Sequence, residues 1–205
     1  KYLEERFQKH KLFRKLLKSL EYPLAAPSAN ISSRLSAVQA SDVKQEFGAK
    51  IKYVLNGGKC NIGLESTIID LSKKPTILRL GGLEIEKIKK VLDKKINLNI
   101  NPKKKISSGQ SRLHYSPGVP LKMNVQKPQN TEALILIKKR NINSKNYYYL
   151  SKNNNLKEAA RNLYSCLRRI KNQGFKSIAV EKITNEGLGK TINDRLIRAS
   201  KYKNV

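Results

Sequence analysis

Side chains that could do chemistry gather in three loop-like segments of the first half of the chain. Residues 27–30 (PSAN) offer a hydroxyl and an amide on a turn after an apolar stretch, and residues 63–67 (GLEST) offer two hydroxyls after a glycine. Arg79 stands in an apolar run that ends at Gly81 and Gly82. Hydroxyls, amides and guanidinium groups donate hydrogen bonds to anionic oxygens. These residues favour nucleotide binding and transfer at phosphorus, which depends on positioning and charge stabilisation.

Each segment has an ordinary structural interpretation when it is taken alone. Residues 27–30 are typical of a Ser/Asn loop, and residues 63–67 are typical of the start of a strand. Arg79 needs an anionic partner to offset its desolvation, and either a phosphate or a structural salt bridge would serve.

Other kinds of catalytic site find little support. The sequence has no GxxxxGK[ST], GxGxxG or HExxH pattern, and its two histidines, His10 and His114, are far apart. Sparse acidic residues also disfavour chemistry by paired carboxylates. Cys60 and Cys166 lack metal-ligand spacing and are interpreted as ordinary thiols, so we expect no metal site and no disulfide.

The charge balance is strongly basic, with 43 Lys and Arg against 15 Asp and Glu, a net charge of +28. Such a charge is typical of partners rich in phosphate, including RNA, but lysine-rich solvated faces in a chain rich in Asn and Ile also follow from an AT-rich genome. No apolar run approaches the roughly 20 residues of a membrane span, and the first residues do not resemble a signal peptide. We therefore expect a soluble, cytoplasmic protein without a membrane partner.

Apolar periodicity predicts the elements that position these residues. The predicted helices are 10–20, 42–47 with Ser41 as N-cap, 83–92, 156–172 with Asn155 as N-cap, and 186–200. The predicted strands are 24–27, 51–55, 66–71, 76–80, 133–137 and 177–180. This order predicts an α/β protein with an incomplete mixed, twisted sheet at 1–92, a long linker at 93–132 and a small, mostly parallel, Rossmann-like α/β unit at 133–205.

Taken in order, the motifs resemble the YrdC family in its long form, the threonylcarbamoyl-AMP synthases with a C-terminal accessory domain. The matching segments of the catalytic part are 6–10 (RFQKH), 25–30 (AAPSAN), Ser36, Gly57 and Gly58, 65–67 (EST) and 77–82 (ILRLGG). The interdomain linker matches at 112–117 (RLHYSP), and the accessory domain matches at 158–163 (EAARNL), 186–189 (EGLG) and 193–196 (NDRL).

The resemblance implies a nucleotidyltransferase that converts L-threonine, bicarbonate and ATP, with Mg²⁺, to threonylcarbamoyl-AMP and pyrophosphate for the t6A modification of tRNA. By position, the implied ATP contacts are Ser28, Asn30, Ser36, Arg79 and Tyr115, and the implied threonine contacts are Arg6, Ala26 and Ser66. Arg112 and His114 would belong to a linker lid, and His114 could equally be a packed or solvent-facing residue.

The chain departs from the family pattern at its beginning. Family members carry a long preceding region with the first threonine-binding segment and a basic segment for the triphosphate, and we expect this chain to be an N-terminally truncated copy without them. Charged residues 1–5 and Gln8 also replace an apolar strand and a proline. We therefore expect an incomplete pocket.

The alternative function is a non-catalytic RNA-binding or assembly module that contacts double-stranded RNA, tRNA or other t6A-modification proteins.

Overall fold

The computed structural model describes residues 10–142 and 144–202, which form two sheets with helices packed around them. The first sheet is built from three short strands in the order β1-β2-β3, with β1 antiparallel and β3 parallel to β2. The helices and strands of this part of the chain are α1 (Lys11–Lys18), α2 (Ala40–Phe47) with a 3₁₀ turn (Gly48–Lys50), β1 (Ile68–Asp70), β2 (Thr76–Arg79), α3 (Ile85–Leu92) and β3 (Asn97–Leu98).

The second sheet has four parallel strands in the order β4-β7-β5-β6. The helices and strands of this part of the chain are β4 (Leu121–Met123), β5 (Glu132–Lys138), β6 (Tyr147–Ser151), α4 (Leu156–Asn172), β7 (Ser177–Val180) and α5 (Leu188–Ala199). Six of the seven residues of β5 are buried because neighbouring strands and helices cover both faces, as in parallel sheets generally. The predicted α/β class, with a mixed first sheet and a parallel second sheet, is confirmed.

Local sequence signals set the ends of the long helix α4. The side chain of Asn155 accepts hydrogen bonds from the backbone N–H groups of Lys157 and Glu158, as its predicted N-cap role requires. After the helix, Gly174 takes φ +80°, a left-handed conformation that favours glycine. These two residues fix the length of the helix that covers the second sheet.

The larger hydrophobic core joins the two parts of the chain. Leu35, Val38 and Tyr115, which lie outside the second sheet and its helices, pack in the same cluster as the buried residues of α4 and β5. A smaller cluster around Ile77 and Ile85 supports the first sheet. The segments that carry the candidate site residues are therefore held against the C-terminal sheet and its helices.

Two predicted strands are wrong. Residues 24–27 are exposed and have no strand hydrogen bonds, and residues 51–55 are irregular, with Tyr53 exposed to 90%. No described strand lies beside either segment, and a strand needs a partner to satisfy its backbone groups. After the second segment, the side-chain oxygen of Asn56 accepts a hydrogen bond from the backbone N–H of Gly58.

The N-cap predicted for α2 is also wrong. Ser41 lies inside the helix, which begins at Ala40 after Gln39. Instead, the buried carboxylate of Asp42 accepts a hydrogen bond from the backbone N–H of Val38, at 2.9 Å. The start of this helix is thus fixed by an acidic side chain in its first turn rather than by a hydroxyl before it.

The segment predicted as a linker, 93–132, contributes β3 to the first sheet and β4 to the second. The limits 1–92, 93–132 and 133–205 stay a prediction, but the segment contains regular structure and contacts both sheets. Within the part of the chain that the structure describes, no helix is long and apolar enough to cross a bilayer.

Gln110 binds the middle of segment 93–132 to the first sheet through hydrogen bonds. Its side-chain N–H groups donate to the carbonyl oxygens of Leu78 and Asn99, and its side-chain oxygen accepts from the N–H groups of Ile106 and Ser107. Because the side chain is buried and makes four hydrogen bonds, its own polar atoms are all satisfied while it holds a polar loop against the sheet.

Candidate active site

Glu65 lies at the centre of a largely buried polar cluster formed by residues far apart in sequence. Its carboxylate accepts hydrogen bonds from Ser36 Oγ at 2.5 Å, from Tyr164 Oη at 3.0 and 3.1 Å, and from Arg195 Nε at 2.9 Å. Tyr164 belongs to α4 and Arg195 to α5, whereas Ser36 precedes α2. The cluster therefore ties the C-terminal helices to the segment in which the hydroxyl-bearing motif lies.

Arg195 is almost completely buried, with 1% of its surface exposed. Besides its contact with Glu65, its guanidinium donates to the carboxylate of Asp194 and to the carbonyl oxygen of Leu80, each at 2.6 Å. The same group lies over the ring of Tyr115, 4.6 Å from its centroid. A buried charge is tolerated when it is paired and hydrogen-bonded, as this one is.

The charges around Glu65 determine its protonation. Burial alone would raise its pKa, but the guanidinium of Arg195 and the hydrogen bond from Ser36 outweigh burial and hold the pKa below its ordinary value. Glu65 is therefore ionised at neutral pH.

We expect this ion pair to make stability depend on pH. Because the folded pKa is lowered, Glu65 stabilises the fold fully above its ordinary pKa, and this contribution is lost as pH falls through the lower folded value. Thermal unfolding followed between neutral pH and about pH 3 should show a flatter pH dependence for Glu65→Gln than for the unmodified chain. The control Glu86→Gln removes an exposed carboxylate and should change the profile less. Equal slopes for all three proteins would contradict the expectation.

Tyr115 connects this cluster to the linker. It adopts φ +60° and is 1% exposed, and its ring stacks on that of Tyr164 at a centroid distance of 5.9 Å. Its backbone N–H donates to Nδ1 of His114 at 3.0 Å. Burial raises the pKa of Tyr115 to about 12 and lowers that of His114. The buried hydroxyl of Tyr115 has no hydrogen-bond partner among the described residues.

Arg79 lies beside Tyr115 at the end of β2. Its Nε donates to the carbonyl oxygen of Ser66 at 3.0 Å, and a terminal nitrogen donates to Ser108 Oγ at 2.9 Å. The two side chains meet at Gly109, where a Cβ would lie 2.7 Å from Tyr115 Oη and 2.8 Å from Arg79 Cδ. Glycine at this position lets the linker backbone approach both groups.

Matches to family models cover most of the chain. Residues 83–201 match the model described as "Threonylcarbamoyl-AMP synthase, C-terminal domain". Residues 6–81 match the model described as "Telomere recombination". The chain belongs to the threonylcarbamoyl-AMP synthase family. The predicted resemblance is thereby confirmed.

Curated threonylcarbamoyl-AMP synthases match along nearly all of this chain. The Pyrococcus abyssi protein is 34% identical over 97% of this chain, and the Bacillus subtilis protein is 29% identical over 95%. The chain spans 64% and 62% of the length of these two relatives.

Solved structures of threonylcarbamoyl-AMP synthase family members share the fold. The crystal structure of P. abyssi Sua5 complexed with L-threonine superposes with a TM-score of 0.80 at 31% identity, covering 95% of this chain and 62% of that one. A variant of P. abyssi Sua5 in which a histidine and the following tyrosine are replaced by alanine gives a TM-score of 0.79 at 30% identity. In the present chain, His114 and Tyr115 form the one His-Tyr sequence.

In the present chain, some of the residues predicted to contact ATP or threonine lie close together. The residues that gather around Glu65 and Arg195 are Ser36, Ser66, Arg79, His114 and Tyr115. Their individual roles toward ATP or threonine stay predictions. The proximity arises because side chains of α5 donate hydrogen bonds to the carbonyl oxygens of Leu80 and Gly81, just after β2, and Gln110 of the linker segment donates to that of Leu78.

Other predicted contact residues have no hydrogen bond to this cluster among the described residues. Ala26 and Ser28 are exposed, and Asn30 donates its side-chain N–H groups to the carbonyl oxygens of Ile31 and Arg34. Arg112 is exposed and lines a separate cavity beside α5. Arg6 lies outside the described residues.

Sequence reasoning did not single out Tyr164 or Arg195 as site residues. Arg195 interrupts the apolar face of α5 between Ile192 and Leu196, and a charge on an apolar face requires a buried partner. That signal was present in the sequence, but the partner, Glu65, lies 130 positions away. Periodicity alone could not pair the two residues.

Proposed function

We propose that this chain forms part of a threonylcarbamoyl-AMP synthase, the enzyme that converts L-threonine, bicarbonate and ATP to threonylcarbamoyl-AMP and pyrophosphate. The observation that supports this most directly is the meeting of Arg79 and Tyr115 at Gly109, beside the Ser66 segment. A guanidinium and a buried phenol hydroxyl in one place are suited to holding the oxygens of a nucleotide.

In this proposal each side chain has a distinct task. Arg79 balances phosphate charge, and the buried hydroxyl of Tyr115 donates to a nucleotide oxygen. Glu65 holds the hydroxyl of Ser36, and the hydroxyl of Ser28 supplies a further donor. Asn30 shapes the loop beside Ser28, because its side-chain N–H groups donate to the carbonyl oxygens of Ile31 and Arg34. Arg6, Ala26 and Ser66 bind L-threonine, the ligand named for the P. abyssi structure.

Mg²⁺ would enter with ATP as part of the substrate. Among the described residues, no group of three or more His, Cys, Asp or Glu side chains could hold a metal ion. The triphosphate oxygens are suitable Mg²⁺ ligands, since this ion prefers oxygen and keeps several waters. The product would serve t6A modification of tRNA in the cytoplasm, together with other t6A-modification proteins.

The test is pyrophosphate release from ATP that depends on both threonine and bicarbonate, accompanied by equilibrium ATP binding. We expect Tyr115→Ala to weaken ATP binding, measured as KM or Kd, by about tenfold, because the substitution removes a buried hydrogen-bond donor to the ligand. The control Tyr149→Ala changes an exposed tyrosine of β6 and should leave ATP affinity unchanged. Unchanged affinity in Tyr115→Ala with an intact fold would count against the proposal.

The net charge of +28 favours a second candidate, a non-catalytic module that binds double-stranded RNA or tRNA or assembles the modification machinery. Salt-dependent RNA binding without any threonine-dependent pyrophosphate release would support this candidate. Activity that requires threonine and bicarbonate would favour the first, whether or not RNA also binds.

A further inference from the structure

A cavity of about 690 Å³ opens between three segments, next to the cluster around Glu65, since the lining residue Asp194 pairs with Arg195 of that cluster. One wall comes from α3 and β3, the second from the linker between Ile100 and Arg112, and the third from α5. Its inner surface is aliphatic, with Leu80, Ile85 and Ile96 buried at its base. The lining has no aromatic residue.

The polar part of the lining is strongly cationic. Five cations, Lys89, Arg112, Lys190, Arg198 and Lys201, line the cavity together with one carboxylate, that of Asp194. Lys190 pairs with Glu86 and Arg198 with Asp194. Within residues 10–142 and 144–202, the side chains of Lys89, Arg112 and Lys201 have no ion pair.

This cavity is distinct from the proposed nucleotide site. Ser36, Ser66, Arg79 and Tyr115 do not line it. The chain immediately after β2 lies between the two regions, because the carbonyl oxygen of Leu80 accepts a hydrogen bond from Arg195 while Leu80 also lines the cavity. An occupant of the cavity would therefore contact neither Arg79 nor Tyr115.

We propose that this cavity binds a small amphipathic anion, a phosphate monoester with an apolar body. The phosphate would lie among Lys89, Arg112 and Lys201, and the apolar body would cover the aliphatic base. A bare inorganic anion would leave the base exposed to water, and a neutral apolar molecule would leave three cations without a counter-ion. Only a ligand with both parts matches the charge and the apolar surface together.

Octyl phosphate is a suitable probe, and isothermal titration calorimetry on the full chain measures its binding. We expect octyl phosphate to bind at one site and to raise the melting temperature, since it would bridge three segments of the folded chain. Inorganic phosphate and octanol, tested separately, should each bind at least about tenfold more weakly. Equal binding of octanol, or no binding of octyl phosphate, would overturn the proposal.

Paired charge reversals distinguish this cavity from adsorption to other apolar or basic surfaces. Lys89→Glu with Lys201→Glu reverses charge at the cavity, and Lys145→Glu with Lys152→Glu makes the same net change on exposed lysines that do not line it. We expect the first pair to weaken octyl phosphate binding about tenfold or more and the second to leave it unchanged. Equal weakening by both pairs, or none by the first, would overturn the proposal. Ile197→Asp, at an exposed lining position, should weaken binding as well.

Discussion

Replacing Arg195 by methionine is expected to lower the free energy of unfolding by about 3–5 kcal/mol, because removing one partner of a buried ion pair leaves the other uncompensated. Glu65, whose side chain is 15% exposed, would lose its guanidinium partner, and the buried carbonyl oxygen of Leu80 would lose its donor. Methionine fills a similar volume, so little of the effect comes from an empty space. Equilibrium unfolding in urea, followed by circular dichroism, measures the loss.

The matched control is Arg140→Met, which removes an arginine whose pair with Glu181 is half-exposed. Exposed pairs contribute up to about 1 kcal/mol, so this variant should unfold almost like the unmodified chain. Adding Glu65→Gln to Arg195→Met should recover part of the loss, since no buried charge then lacks a partner. Similar unfolding of both single variants would show that the buried pair contributes little.

Gly81→Ala is expected to destabilise the fold by about 3 kcal/mol or more, since it forces a methyl group into packed backbone. A Cβ at this position would lie 2.2 Å from the backbone nitrogen of Thr67, 2.3 Å from the carbonyl carbon of Ser66 and 2.4 Å from the carbonyl oxygen of Glu65. None of these atoms can move without displacing the segment that carries Glu65. The urea midpoint should fall, and ATP binding should weaken with it.

The neighbouring Gly82→Ala separates this clash from a general effect of replacing glycine. A Cβ there would meet chiefly Cγ2 of Ile62, a half-exposed side chain that can rotate away. We expect a loss of about 1 kcal/mol or less for Gly82→Ala, with ATP binding retained. A larger loss for Gly82→Ala than for Gly81→Ala would contradict this account of the close approach.

The sequence by itself determined the elements whose signals are local. The apolar periodicity of α4, with Asn155 before it and Gly174 after it, defines a helix whatever surrounds it. The unbroken apolar run of β5 likewise predicts a strand with two covered faces. The ordered motifs also identified the family, because a set of spaced segments is far more specific than any one of them.

Only the tertiary structure decided which segments pair. Residues 24–27 and 51–55 have the composition of strands but no described neighbour, so they remain irregular, whereas β3 and β4 form within a polar segment because partner strands lie beside them. The Glu65–Arg195 pair has the same origin, since its members lie 130 positions apart. Local periodicity reports which face of an element is apolar, and the partner of a strand edge or a buried charge is set by the packing of distant segments.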